Sequence, residues 1–354
     1  MSSSRAGLSS RSFALLPAAP EPVFGLPADC SLRWRGRPWL TVLGAVLRLL
    51  IVPTATLLAA TSTLLVLRLS GWWPAEPAAA WGAFWTAALL QTLVMSAVAL
   101  AFYVLFARLL DKRDRLPELR WGTGLPLASG LAWGGVAVLA CAAAIAALGG
   151  FSFQLARESL NTPGLLGYAI TVGAGAGIAE EVLFRGVLLR SMEELLGTWA
   201  AVALSALAFG LLHGTNPHAT WWSNLAIALE AGILLGLLYA ATRSLWLVIG
   251  FHAAWNVVQG PVLGVPVSGT PLGPSLWRTQ VHGADWLTGG AFGLEASAVT
   301  VVLLLAASVL LAVAVHRRGQ VVAPLWHSRR TPAAPLRHTQ AGPHNGPHLP
   351  ASDR

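Results

Sequence analysis

The chain has 354 residues, of which 55% are hydrophobic and only 11% charged. Soluble domains carry about 25% charged residues, so an ordinary cytosolic enzyme, a disordered chain and a nucleic-acid-binding module are excluded. The formal charge of +8 does not call for nucleic acid, because the arginines gather at two tails and one loop, where a membrane protein keeps its cytoplasmic positive charge. Residues 1–38 read as a basic cytoplasmic tail. Arg5, Arg11, Arg33, Arg35 and Arg37 lie there among prolines, and the apolar patch from Phe13 to Ala19 is too short to span and is broken by Pro17. Eight apolar stretches follow, at about 39–67, 81–107, 125–148, 163–192, 199–216, 222–241, 245–261 and 292–315. They are long enough to match roughly 30 Å of hydrocarbon, with the fifth and seventh the shortest. Residues 39–150 hold the first three. Residues 151–161 suit a short amphipathic helix on the outer surface as well as they suit a loop. Residues 262–291 are an outer Gly/Pro-rich loop, and 316–354 an Arg-, His- and Pro-rich tail expected to be disordered in the cytoplasm. Cys30 and Cys141 offer neither a disulfide framework nor metal-ligand spacing.

Eight crossings bring the chain back to its starting side. The N-terminal arginines then share a side with Arg108, Lys112, Arg113, Arg115, Arg120, Arg190, Arg243, Arg317 and Arg318. Only Arg68, Arg157 and Arg278 fall opposite. The positive-inside rule places both termini in the cytoplasm. The expected class is an all-α, polytopic protein of the cell membrane, with the lipid bilayer as its first partner.

An ionisable side chain inside the bilayer is costly and marks a functional site by default. The fourth stretch contains Glu180, Glu181 and Arg185, the fifth His213, the sixth Glu230, and the seventh His252 and Asn256. At 1.5 Å per residue, Glu181, His213 and Glu230 lie roughly 20 Å from the cytoplasmic ends of their helices. His252 and Asn256 lie roughly 12 and 18 Å in, so four helices place polar groups in one layer. Glu181 and Arg185 are i,i+4 and share a face, which leaves Glu180, about 100° away, as the unpaired carboxylate. Such a carboxylate can serve as a general base. His252 and Asn256, also i,i+4, offer the two convergent donors that an oxyanion needs. Phe209 stands one turn from His213, where it packs on the imidazole and reaches substrate. Gly173, Gly175 and Gly177 let neighbouring helices approach closely. Each element also has a structural reading: the Glu181–Arg185 pair as a clamp, His213 and Asn256 as interhelical hydrogen bonds, Glu230 as a structural or pathway residue.

Three ordered motifs carry a resemblance. Glu180-Glu181-Val182-Leu183-Phe184-Arg185 is EExxxR, Phe209 to His213 is FxxxH, and His252 to Asn256 is HxxxN. Together they resemble the CPBP intramembrane proteases, a family that includes the type II CAAX prenyl endopeptidases and the Abi or bacteriocin-immunity proteins. The resemblance covers about residues 160–261. It implies that Glu180 activates water with help from His213, that His252 and Asn256 stabilise the oxyanion, and that Glu181 and Arg185 hold the geometry. The implied substrate is a membrane-associated peptide or protein, CAAX-type or lipidated chains among them. No cofactor is expected. Zinc on Glu180, His213 and His252 is the alternative, set second because HExxH is absent. The remaining readings are a non-proteolytic scaffold or immunity factor on the same fold and a transporter using the same buried groups.

Overall fold

The computed structural model describes residues 38–73, 81–111, 113, 115–157 and 162–325. Residues 1–37 and 326–354, with most of both expected tails, lie outside the described residues. The fold is that of an all-α, multi-pass membrane protein. The first three apolar stretches form α1 (Pro38–Leu69), α2 (Trp81–Leu109) and α3 (Leu125–Ala147). The fourth forms α4, which is helical from Thr162 to Leu196 but contains π-helical turns at Thr171–Gly175 and Val182–Leu189. Then come α5 (Thr198–Leu212), closed by a 3-10 turn at His213–Thr215, and α6 (Trp221–Thr242), with a π turn at Ala228–Gly232. Next is α7 (Leu245–Val257), extended by a π turn at Val258–Val262. A short helix, α8 (Asp285–Thr288), precedes the last long one, α9 (Ala298–Arg317).

Six of these helices, α1, α2, α3, α5 with its 3-10 turn, α6 and α9, are long and apolar enough to cross a membrane. Their outward faces show Leu57, Leu65, Val66, Val136, Val302 and Leu310 to the surroundings, as lipid-facing surfaces require. Burial ranks the helices: the most apolar window of α6 is 78% buried, against 22% in α1 and α2. Helix α6 packs against α5, α7 and α9, and it starts on a capping box between Thr220 and Ser223.

Helices α3 and α7 approach each other closely enough for their backbones to touch. A Cβ on Gly130 would sit 2.1 Å from the Leu247 carbonyl oxygen, and one on Gly134 2.2 Å from that of Phe251. From the other side, a Cβ on Gly250 would meet the Leu127 carbonyl at 2.5 Å. Gly130 and Gly134 form a GxxxG seam, which lets two backbones touch where apolar packing alone gives helices in lipid little to gain. Gly173 and Gly175 do the same on α4, where a Cβ would strike Val257 and Thr92 at 2.5 and 2.4 Å. Gly134→Leu is expected to push α7 off α3 and to abolish the folded, monodisperse species in detergent. A variant that elutes and melts like the parent protein would show the seam to be dispensable.

Three outer and terminal segments differ from expectation. Residues Phe151–Leu155 are a strand, β1, not an amphipathic helix, and they pair antiparallel with β2 (Trp277–Val281), Phe151 opposite Val281. The 262–291 loop is therefore partly built. The last long helix starts at Ala298 rather than 292, because Ser297 caps it by accepting from the Val299 amide at 3.1 Å. Beyond Arg317 the chain stays ordered for several residues: Val322 exchanges hydrogen bonds with Thr198, and the Gln320 amide donates to the Ala241 carbonyl at 2.9 Å.

The helix ends around Arg243 are tied by buried ion pairs. Arg48 bridges Asp111 and Glu194, both at 2.5 Å, and Arg243 clasps Glu193. Glu118 accepts from Arg113 at 2.7 and 2.8 Å and pairs with Arg190 at 3.1 Å. Burial alone would raise the Glu118 carboxyl, but Arg190, Arg113 and the Tyr103 hydroxyl hold it down at about 2.

Candidate functional site

Helix α4 carries two successive glutamates into different surroundings. Glu181 is fully buried, while the Glu180 side chain keeps 29% of its exposure. Arg185, one turn on and 1% exposed, donates from Nη1 to Glu181 Oε1 at 2.9 Å. Its Nη2 donates to the Ala231 and Gly232 carbonyls at 3.0 and 3.3 Å. Those carbonyls belong to the π turn of α6 and its edge. A π turn widens the backbone spiral and commonly sits at functional sites. The guanidinium also lies 4.8 Å from the centre of the Phe209 ring, a cation–π contact that links α4 to α5.

His252 on α7 joins the two glutamates. Its Nδ1 donates to Glu181 Oε1 at 2.8 Å, and its Nε2 stands 4.0 Å from Glu180 Oε2. Glu180 Oε2 is buried and has no hydrogen-bond partner among the described residues. One turn further, Asn256 donates from Nδ2 to the Val172 carbonyl at 2.8 Å, a group in the first π turn of α4. His213 lies not within a helix but at the start of the 3-10 turn that ends α5. Its Nδ1 is 2.7 Å from the Phe209 carbonyl oxygen. A carbonyl only accepts, so Nδ1 carries the proton, and in the neutral ring Nε2 is left as an acceptor. The Phe209 ring, 2% exposed, stands 4.6 Å from the His213 ring and 6.2 Å from the His252 ring.

A cavity of about 30 Å³ opens beside these groups, and Phe209, His213, Glu230, His252, Asn256 and Glu295 are on its wall. A void needs only about 10–15 Å³ of such volume to hold a water. The expected layer therefore assembles, with two changes. Glu180 flanks His252 instead of lining the cavity with His213. Asn256 and His252 are not both free donors: each spends one N–H on a neighbour, leaving one Asn256 amide hydrogen and the Nε2 edge of His252 for a ligand.

Glu295, Ser268 and Gln259 were not singled out in the sequence. Glu295 is 3% exposed and sits at the cavity just before α9. It accepts from the Ser268 amide and hydroxyl at 3.1 and 3.2 Å and from the Gln259 amide. Burial pushes its carboxyl up to about 7. The available signal was a lone acid in the run Gly293-Leu294-Glu295-Ala296-Ser297, at the mouth of the last apolar stretch.

Residues 162–258 match the family model described as type II CAAX prenyl endopeptidase Rce1-like. The segment holds all three motifs and, of the cavity-wall residues just named, all but Glu295. Residues 162–258 are thus similar to the membrane-embedded CPBP proteases. A Bacillus subtilis protein named "Putative membrane peptidase YdiL" is 28% identical over 113 residues, which is 30% of this chain and 44% of that relative. The match thus spans less than half the length of the curated relative. No solved structure matches the chain. Helices α1 to α3 and α9, the β1–β2 pair and Glu295 all lie outside the CPBP-matched stretch.

Proposed function

We propose that the protein is an intramembrane endopeptidase that hydrolyses a peptide bond in a membrane-associated substrate, using Glu180 as the base that activates water. The observation that carries this reading is the placement of His252. Its Nδ1 is tied to the Glu181–Arg185 pair, and its Nε2 faces the otherwise unpartnered Glu180 carboxylate, beside a cavity large enough for water. Glu180 takes a proton from water, and the hydroxyl oxygen bonds to the carbonyl carbon of the substrate. His213 Nε2 accepts from that water and orients it. The oxyanion is met by the remaining Asn256 amide hydrogen and by the Nε2–H of His252 protonated on both ring nitrogens between Glu180 and Glu181, donors fixed in place before the charge develops. Collapse breaks the C–N bond, and the leaving nitrogen takes back the proton held by Glu180.

Three finer assignments belong to the same proposal. The substrate is a membrane-anchored or lipid-modified peptide, CAAX-type chains included. Both termini face the cytoplasm, following the arginine distribution. The chemistry proceeds without metal: among the described residues no three His, Cys, Asp or Glu side chains converge as a metal site, and His252 Nδ1 is committed to Glu181. The test is N-terminal proteomics on membranes holding the native protein or Glu180→Ala. New N-termini that vanish in the variant, and that persist after a strong zinc chelator, are expected. Identical N-termini in both membranes would remove the peptidase reading, and chelator loss reversed by zinc would replace the metal-free version.

A further inference from the structure

Glu230 has no part in the mechanism above. It projects from the centre of α6 and is 1% exposed, and neither carboxylate oxygen has a hydrogen-bond partner among the described residues. Both Glu230 and Glu295 lie on the cavity that His213 and His252 share. Glu295 is turned there by Ser268 and Gln259. The wall holds no arginine or lysine, and three aromatic rings, Phe209, Phe251 and Trp255, stand on it beside aliphatic side chains such as Leu234 and Leu304. Two acids without an arginine or lysine beside them, one of them wholly unsatisfied, form a costly arrangement in an apolar setting. It becomes favourable when a positive group arrives.

We propose that this cavity is a subsite for a primary ammonium group, such as a lysine side chain next to the scissile bond, held by Glu230 and Glu295 among Phe209, Phe251 and Trp255. The size of the cavity, about 30 Å³, suits a group the size of water and not a guanidinium. The character of the wall separates ammonium from a hard metal cation. Calcium and magnesium need six or more oxygen ligands, whereas an ammonium is satisfied by a few acceptors and by aromatic faces. The site deepens the endopeptidase reading by naming a substrate preference, and it rests on that reading only for what the ammonium belongs to.

The first experiment needs no catalysis. Full-length protein in detergent is melted with n-propylammonium chloride, with its neutral analogue propan-1-ol, and with sodium chloride at equal concentration. Only propylammonium is expected to raise the melting temperature in a saturable way. Glu230→Gln is expected to weaken that response about tenfold or more, while Glu180→Gln retains it. Glu295→Gln serves as the second variant if Glu230→Gln does not fold. Equal shifts with all three solutes, or an unchanged response in both cavity variants, would overturn the site. The second experiment compares peptides carrying lysine or norleucine beside the cleaved bond, with lysine expected to raise kcat/KM about tenfold in the native protein and not in Glu230→Gln. Amine binding without any cleavage would remove the endopeptidase reading and leave the subsite. Cleavage with no lysine preference and no amine binding would do the reverse.

Discussion

Glu180→Gln is expected to cut peptide hydrolysis by about 10³-fold while leaving the purified protein folded. The size follows from what a general base supplies, which is about 10²–10⁴ in rate. Retention of the fold follows from the surroundings. The Glu180 side chain is 29% exposed, and its Oε2 accepts no hydrogen bond among the described residues. Glutamine keeps the shape but cannot take a proton from water. The measurement is steady-state cleavage of a fluorogenic peptide in detergent, with a melting curve on the same preparation. Activity within a few-fold of the native protein would mean that another group activates the water. Collapse of the melting transition would mean that Glu180 is a structural residue.

Arg185→Met is expected to do the opposite, and to destroy the fold before it touches the rate. Arg185 and Glu181 are 1% and 0% exposed and lie 2.9 Å apart. Removing one partner of a buried pair strands the other charge, at a cost of about 3–5 kcal/mol. Here two carbonyl hydrogen bonds on α6 and the contact with Phe209 go as well. Adding Glu181→Gln to Arg185→Met should restore folded yield, because the amide oxygen still accepts from His252 Nδ1 and no lone charge remains. Size-exclusion profiles of the three proteins decide the point. Native-like behaviour of Arg185→Met alone would show that the pair is not a clamp.

Polarity within apolar stretches made much of this site legible in the sequence. Periodicity predicted the Glu181–Arg185 pair and the separate fate of Glu180, because both depend only on spacing along one helix. Gly173 and Gly175 of α4 are close-approach positions as spacing suggests, whereas a Cβ on Gly177 would meet its neighbours at an ordinary 3.5 Å. What spacing along one helix does not encode is the register between helices. Hence the partner of His252 proved to be Glu181, and Asn256 proved to be tied to Val172. The β1–β2 pairing was hidden because its strands come from opposite flanks of the motif-bearing region, and the edge residues Phe153, Leu155 and Trp277 fit a loop as well as a strand. Hydropathy alone extends the last span back to 292 and so hides Glu295, whereas Ser297 caps that helix after the acid has already turned inward.

The glycine seam also sets a limit on any attempt to pare the molecule down. Helix α7 carries His252 and Asn256, yet its Leu247 and Phe251 carbonyls are covered by Gly130 and Gly134 of α3, outside the stretch shared with relatives. An excised 162–258 fragment would surrender that cover and leave a bare flank where its two working side chains are mounted. A graft or minimal enzyme must carry Leu125–Ala147 with it, or supply another glycine-faced helix to lie in its place.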